Sequence, residues 1–180
     1  MKMLTLTILA TMFATQGAED MSALHEAEAL RHATDEGQRW LQGARTVVDE
    51  QLSAVDRRRL GRKVLSESRV RFAAGSFPQG GQTIVTVAVP LTMRDPEAPP
   101  TWISGVFTLG ADEQLVSVIV PLSMQTLRYD LRSMGDVDAD GRDDLLFDVT
   151  DPQGTTQRLV TWADGVPVER VIDPTGDEGC

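Results

Sequence analysis

Residues 82–89 read Gln82-Thr83-Ile84-Val85-Thr86-Val87-Ala88-Val89. This β-branched run is bounded by the turn chemistry of Pro78-Gln79-Gly80-Gly81 and is too short for a core helix. It reads as a strand, and its neighbours read the same way. Upstream, Arg69-Val70-Arg71-Phe72 alternates with period 2. Downstream come 101–109 (TWISGVFTL), 114–120 (QLVSVIV), 126–131, 145–149, 157–162 and 166–172. Residues 95–100, Gly110-Ala111-Asp112, Asp151-Pro152-Gln153-Gly154 and Ala163-Asp164-Gly165 separate them as tight turns. Pro90 and Pro121 fall at strand ends, where a missing N–H is tolerated. The pattern predicts an antiparallel sheet domain of seven to eight short strands over 66–173, blade- or sandwich-like.

Upstream of Ser66 the period is helical. Met21, Leu24, Ala27 and Leu30 recur on one stripe, as do Leu41, Ala44, Val48, Leu52 and Val55. Gly37 and Gly43 predict a break near 34–38, and Ser53 with Asp56 predicts a capped restart at Ala54. The expected class is therefore α+β, with a helical segment over 19–65 ahead of the sheet. Asp56-Arg57-Arg58-Arg59, Arg62 and Lys63 read as a solvated basic helix face.

The extreme N-terminus reads as an export signal. Lys2 is followed by the apolar stretch LTLTILATMFA (4–14), and Gly17 and Ala18 offer a cleavage site before Glu19 and Asp20. Residues 1–18 are thus expected to be removed and the protein to be secreted or periplasmic, without a stable membrane anchor. The formal net charge of −10 argues against nucleic acid and anionic membranes as partners. Cys180 is the single cysteine, so no internal disulfide can form. It lies in the acidic tail 174–180 and offers a disulfide dimer or a free thiol.

One constellation carries chemistry. Residues 136–144 read Asp136-Val137-Asp138-Ala139-Asp140-Gly141-Arg142-Asp143-Asp144. Acids stand at loop positions 1, 3, 5 and 9, with glycine at position 6. Calcium takes six to eight oxygens at roughly 2.3–2.6 Å, and alternate side chains of a tightly wound loop converge on one centre. Gly141 permits the sharp turn, Arg142 would offer its carbonyl, and Asp144 would close the site. Asp143 and Asp148 are expected to face solvent or a neighbouring arginine. A helix-loop-helix hand needs a bidentate glutamate at position 12, where Phe147 stands, and the run after Asp144 is strand-like. The reading is a calcium loop between two strands.

The stretch 135–146 (GDVDADGRDDLL) resembles the D-x-D-x-D-G-x-x-D-L calcium loop of the FG-GAP/VCBS repeats, the blades of integrin-type β-propellers. The resemblance implies side-chain ligands at Asp136, Asp138, Asp140 and Asp144 and a carbonyl ligand at Arg142. Only one such loop occurs, so it implies one blade-like sheet rather than a whole propeller.

Other chemistry is weakly represented. His25 and His32 stand seven apart, not at the H-E-x-x-H spacing of a zinc protease. No G-x-S-x-G elbow and no phosphate or dinucleotide loop occurs. Trp40, Trp102, Trp162 and Tyr129 are expected to pack rather than to bind sugar. No catalytic residue is nominated. The expected function is that of an exported, non-enzymatic calcium-binding protein, a surface or envelope interaction module with a protein partner. The alternative is a small exported hydrolase in which the calcium site is structural.

Overall fold

The computed structural model describes residues 20–27, 35–60, 70–91, 95 and 97–172. The export signal over 1–18, His32, Arg62, Lys63 and the tail with Cys180 lie outside them.

The chain is predominantly antiparallel β, in two sheets. One contains β2 (Val70–Ala74), β3 (Thr83–Leu91), β4 (Thr101–Leu109) and β5 (Leu115–Gln125), in that order. The other contains β1 (His25–Glu26), β6 (Arg128–Gly135), β7 (Asp144–Asp151), β8 (Gly154–Ala163) and β9 (Val166–Ile172), ordered β1-β6-β7-β8-β9. Two helices, α1 (Asp35–Gln51) and α2 (Ala54–Leu60), precede the first sheet.

The strand run 82–89 is apolar almost throughout because its sheet is covered on both faces. Val85, Val87 and Val89 join Ile103 and Phe107 in one buried cluster with Trp40, Leu41, Ala44 and Val48 of α1. On the opposite face, Ile84 and Val106 share a second cluster with Leu145, Phe147, Val149, Val160 and Trp162 of the second sheet. A fully buried side chain of this size contributes about 1.5–3 kcal/mol of transfer free energy. These two clusters hold three layers together: helices, first sheet, second sheet.

The helical reading of 19–65 needs correction. Met21–Ala23 is a single 3₁₀ turn, capped by the Asp20 carboxylate, and His25–Glu26 is a strand paired with Met134 and Ser133. Helical periodicity there is overridden by a free sheet edge on β6, whose backbone groups take this segment as an extra strand. The break expected near 34–38 coincides with the start of α1 at Asp35, and Gly37 lies inside the helix. Tertiary burial of the Trp40–Val48 face outweighs the ~1 kcal/mol that a helical glycine costs. Ser53 Oγ accepts the Asp56 N–H (3.1 Å) and restarts the helix, as its spacing predicts. That restart changes the phase, which leaves Val55 51% exposed, off the apolar stripe of Leu41, Ala44, Val48 and Leu52.

Candidate metal centre

Gly135 and Asp144 face each other across the β6–β7 ladder, so residues 136–143 form the connection of one hairpin. The loop is wound by its own carboxylates, as Asx turns are. Asp136 Oδ1 accepts the Asp140 N–H (2.9 Å) and its Oδ2 accepts the Gly141 N–H (2.8 Å). Asp138 Oδ1 also accepts from Asp140 N–H (3.2 Å). Gly141 has φ +82°, the left-handed region that a side chain disfavours.

This winding brings carboxylate oxygens of Asp136, Asp138 and Asp144 within 4.8 Å of one another. Their environments differ. Asp138 is exposed and Asp136 half-buried, so the cluster opens to solvent on one side. Asp144 is fully buried (0% exposed). Its Oδ2 accepts the Val137 N–H at 3.0 Å, and its Oδ1 has no hydrogen-bond partner among the described residues. Burial pushes the Asp144 carboxyl up to about 7; the Val137 hydrogen bond opposes the rise, and the charges of Asp138, Asp140 and Asp136 add to it.

Of the five residues singled out in the sequence, three converge. Asp140 stands outside the trio and turns toward Arg142: its Oδ1 accepts the Arg142 N–H at 2.8 Å, and its Oδ2 lies 3.8 Å from Arg142 Nη1. The remaining donor set is all hard oxygen, with one buried lone pair of Asp144 unmatched. A hard divalent cation fits such a set, since it neutralises the crowded charge and satisfies the orphaned oxygen.

Sequence reasoning missed what fixes the loop from outside. Asp143 was expected to face solvent or an arginine. Its Oδ2 instead accepts the Ser76 N–H (2.7 Å), and its own N–H donates to Ser76 O (2.8 Å). The Asp143 carbonyl also accepts the Trp162 indole N–H at 2.9 Å. The loop is thus pinned to the β2–β3 connection of the other sheet and to β8. Nothing local in the sequence around Asp143 signals a partner 67 residues away. Asp148 does meet an arginine, Arg132 Nη1, at 3.5 Å.

The other candidates do not assemble with this site. His25 is exposed on β1. Trp40, Trp162 and Tyr129 are buried in the two clusters, and Trp102 is half-covered by Arg128, whose guanidinium carbon lies 5.1 Å from the ring centre. No helix among the described residues is long and apolar enough to cross a membrane. No protein-family model, curated protein or solved structure matches the chain.

Proposed function

We propose that this is an exported, non-enzymatic calcium-binding protein in which one ion, held at the β6–β7 connection, staples a β-sheet unit that serves as a surface or envelope interaction module. The observation that carries the reading is the meeting of Asp136, Asp138 and Asp144 oxygens around a buried Asp144 Oδ1 that has no hydrogen-bond partner among the described residues. A charged carboxylate is costly to bury with an oxygen unmatched, and a bound cation removes that cost. Calcium is preferred to magnesium because a flexible ring of carboxylates suits a larger and more variable coordination shell. Asp140 and the Arg142 carbonyl are the further ligands this reading requires, with Asp140 leaving its contact with Arg142 to join the ion. The half-sheet β6–β9, four antiparallel strands in sequence with the loop at its first turn, supports a blade-like unit of the FG-GAP/VCBS kind.

An ion that binds only the native state raises stability by an amount set by its concentration relative to its dissociation constant. The test is calorimetry of the protein with calcium, together with thermal unfolding of Asp138→Ala/Asp140→Ala. The double variant is expected to unfold at lower temperature than wild type in calcium and at nearly the same temperature in a chelator. Equal destabilisation under both conditions would remove the metal from the explanation.

A further inference from the structure

The loop is also gripped by the N-terminal segment 20–27. Asp20 N–H donates to Val137 O (2.8 Å) and Ala27 N–H to Arg132 O (3.3 Å). Between them, His25 and Glu26 pair with Met134 and Ser133 of β6. The Ala23 carbonyl lies so close over Gly135 that a Cβ at 135 would collide with it. Val137 is the link. Its N–H goes to Asp144 Oδ2 and its C=O receives the Asp20 N–H. One residue, through the two peptide groups that flank its Cα, therefore joins a carboxylate of the acidic trio to the N-terminal segment.

We propose that ion binding at Asp136, Asp138 and Asp144 is coupled to docking of residues 20–27 on β6, so that the N-terminal segment is a metal-regulated strap. The proposal rests on the calcium reading given above. Without a cation, three carboxylates this close repel one another, and the loop relieves the repulsion by opening. Opening displaces Val137 and with it the carbonyl that accepts the Asp20 N–H. A divalent ion reverses the sign of the interaction, draws the carboxylates inward and fixes Val137 where the strap needs it. The strap is lightly held: its strand is two residues long and both side chains are exposed. Such a segment opens at little cost and responds to a small bias. Linkage makes the effect reciprocal: whatever factor calcium adds to docking, docking adds to calcium affinity, typically 5- to 150-fold.

The test uses the full chain in calcium chloride or in chelator, with hydrogen exchange read over 20–27 and calcium binding read by calorimetry. Calcium is expected to slow exchange of this segment by about fivefold or more. Gly135→Ala obstructs the strap through Ala23 while removing no carboxylate. It is expected to bind calcium about fivefold or more weakly and to lose the calcium-dependent protection. Asp20→Pro, at an exposed position, removes the N–H donated to Val137 together with the carboxylate that caps Ser22, and is expected to act in the same direction. If wild type binds calcium but 20–27 exchanges equally with and without it, or if both variants bind at wild-type affinity, the coupling is wrong and the calcium reading stands. If wild type gives no binding heat, the calcium reading itself fails and the strap proposal falls with it.

Discussion

Asp144 is the residue on which the chemistry of this molecule turns. A carboxylate that is fully buried, with one oxygen bonded to Val137 N–H and the other unmatched, is costly in its charged form. Its native pKa of about 7 stands above the ordinary 3.8, so the folded state holds this proton more tightly than the unfolded chain. Its contribution to stability is then fully present below about pH 4 and is lost as pH rises through about 7. In chelator, the urea midpoint is expected to fall between pH 5 and pH 8, and calcium, which competes for the same oxygens, is expected to offset the fall. Asp144→Asn keeps an acceptor for Val137 and removes the charge. At pH 8 in chelator it is expected to be more stable than wild type, by about 1–3 kcal/mol, while gaining nothing from added calcium. Chemical denaturation of both proteins with and without calcium reads both outcomes. A destabilised Asn variant in chelator would mean that the carboxylate is satisfied in a way its neighbours do not reveal.

At the scale of elements, strands were legible and their surroundings were not. Alternation and turn residues placed the segments around Phe72, Val85, Phe107, Phe147 and Trp162 because period 2 is imposed by the backbone itself. His25–Glu26 was hidden, since two residues carry no period and their pairing depends on where β6 ends up. The acidic spacing gave Asp136, Asp138 and Asp144 together, because the loop's winding is local. The role of Asp143 and the link from Val137 to the N-terminal segment were hidden, because their partners Ser76, Trp162 and Asp20 lie far off in the sequence. The outer strand β9 shows a further device. Ala163 and Val166 flank its two-residue turn, so by antiparallel alternation Pro167, Glu169 and Val171 direct their backbone groups to the edge left open among the described residues. Val166, Val168 and Val171 are 60%, 45% and 63% exposed, a composition that invites another strand. Pro167 has no N–H to offer there, and Glu169 brings a charge, paired with Arg158 at 2.7 Å. Pro167→Val restores the donor. Sedimentation velocity is expected to show self-association of this variant at concentrations where wild type sediments as one species.

At the scale of the whole molecule, the first sheet acts as a wall shared by two cores, and the acidic loop sits at the seam between the sheets. The pair of hydrogen bonds between Ser76 and Asp143 closes a stretch of 67 residues. The loop winds locally, but it is pinned in its buried setting only once both sheets have formed and met. In kinetic terms the complete site, with Asp144 buried, is assembled when the barrier is nearly behind the chain. Calcium is then expected to leave the refolding limb of a stopped-flow chevron almost unmoved and to depress the unfolding limb, lengthening the lifetime of the native state without hastening its arrival.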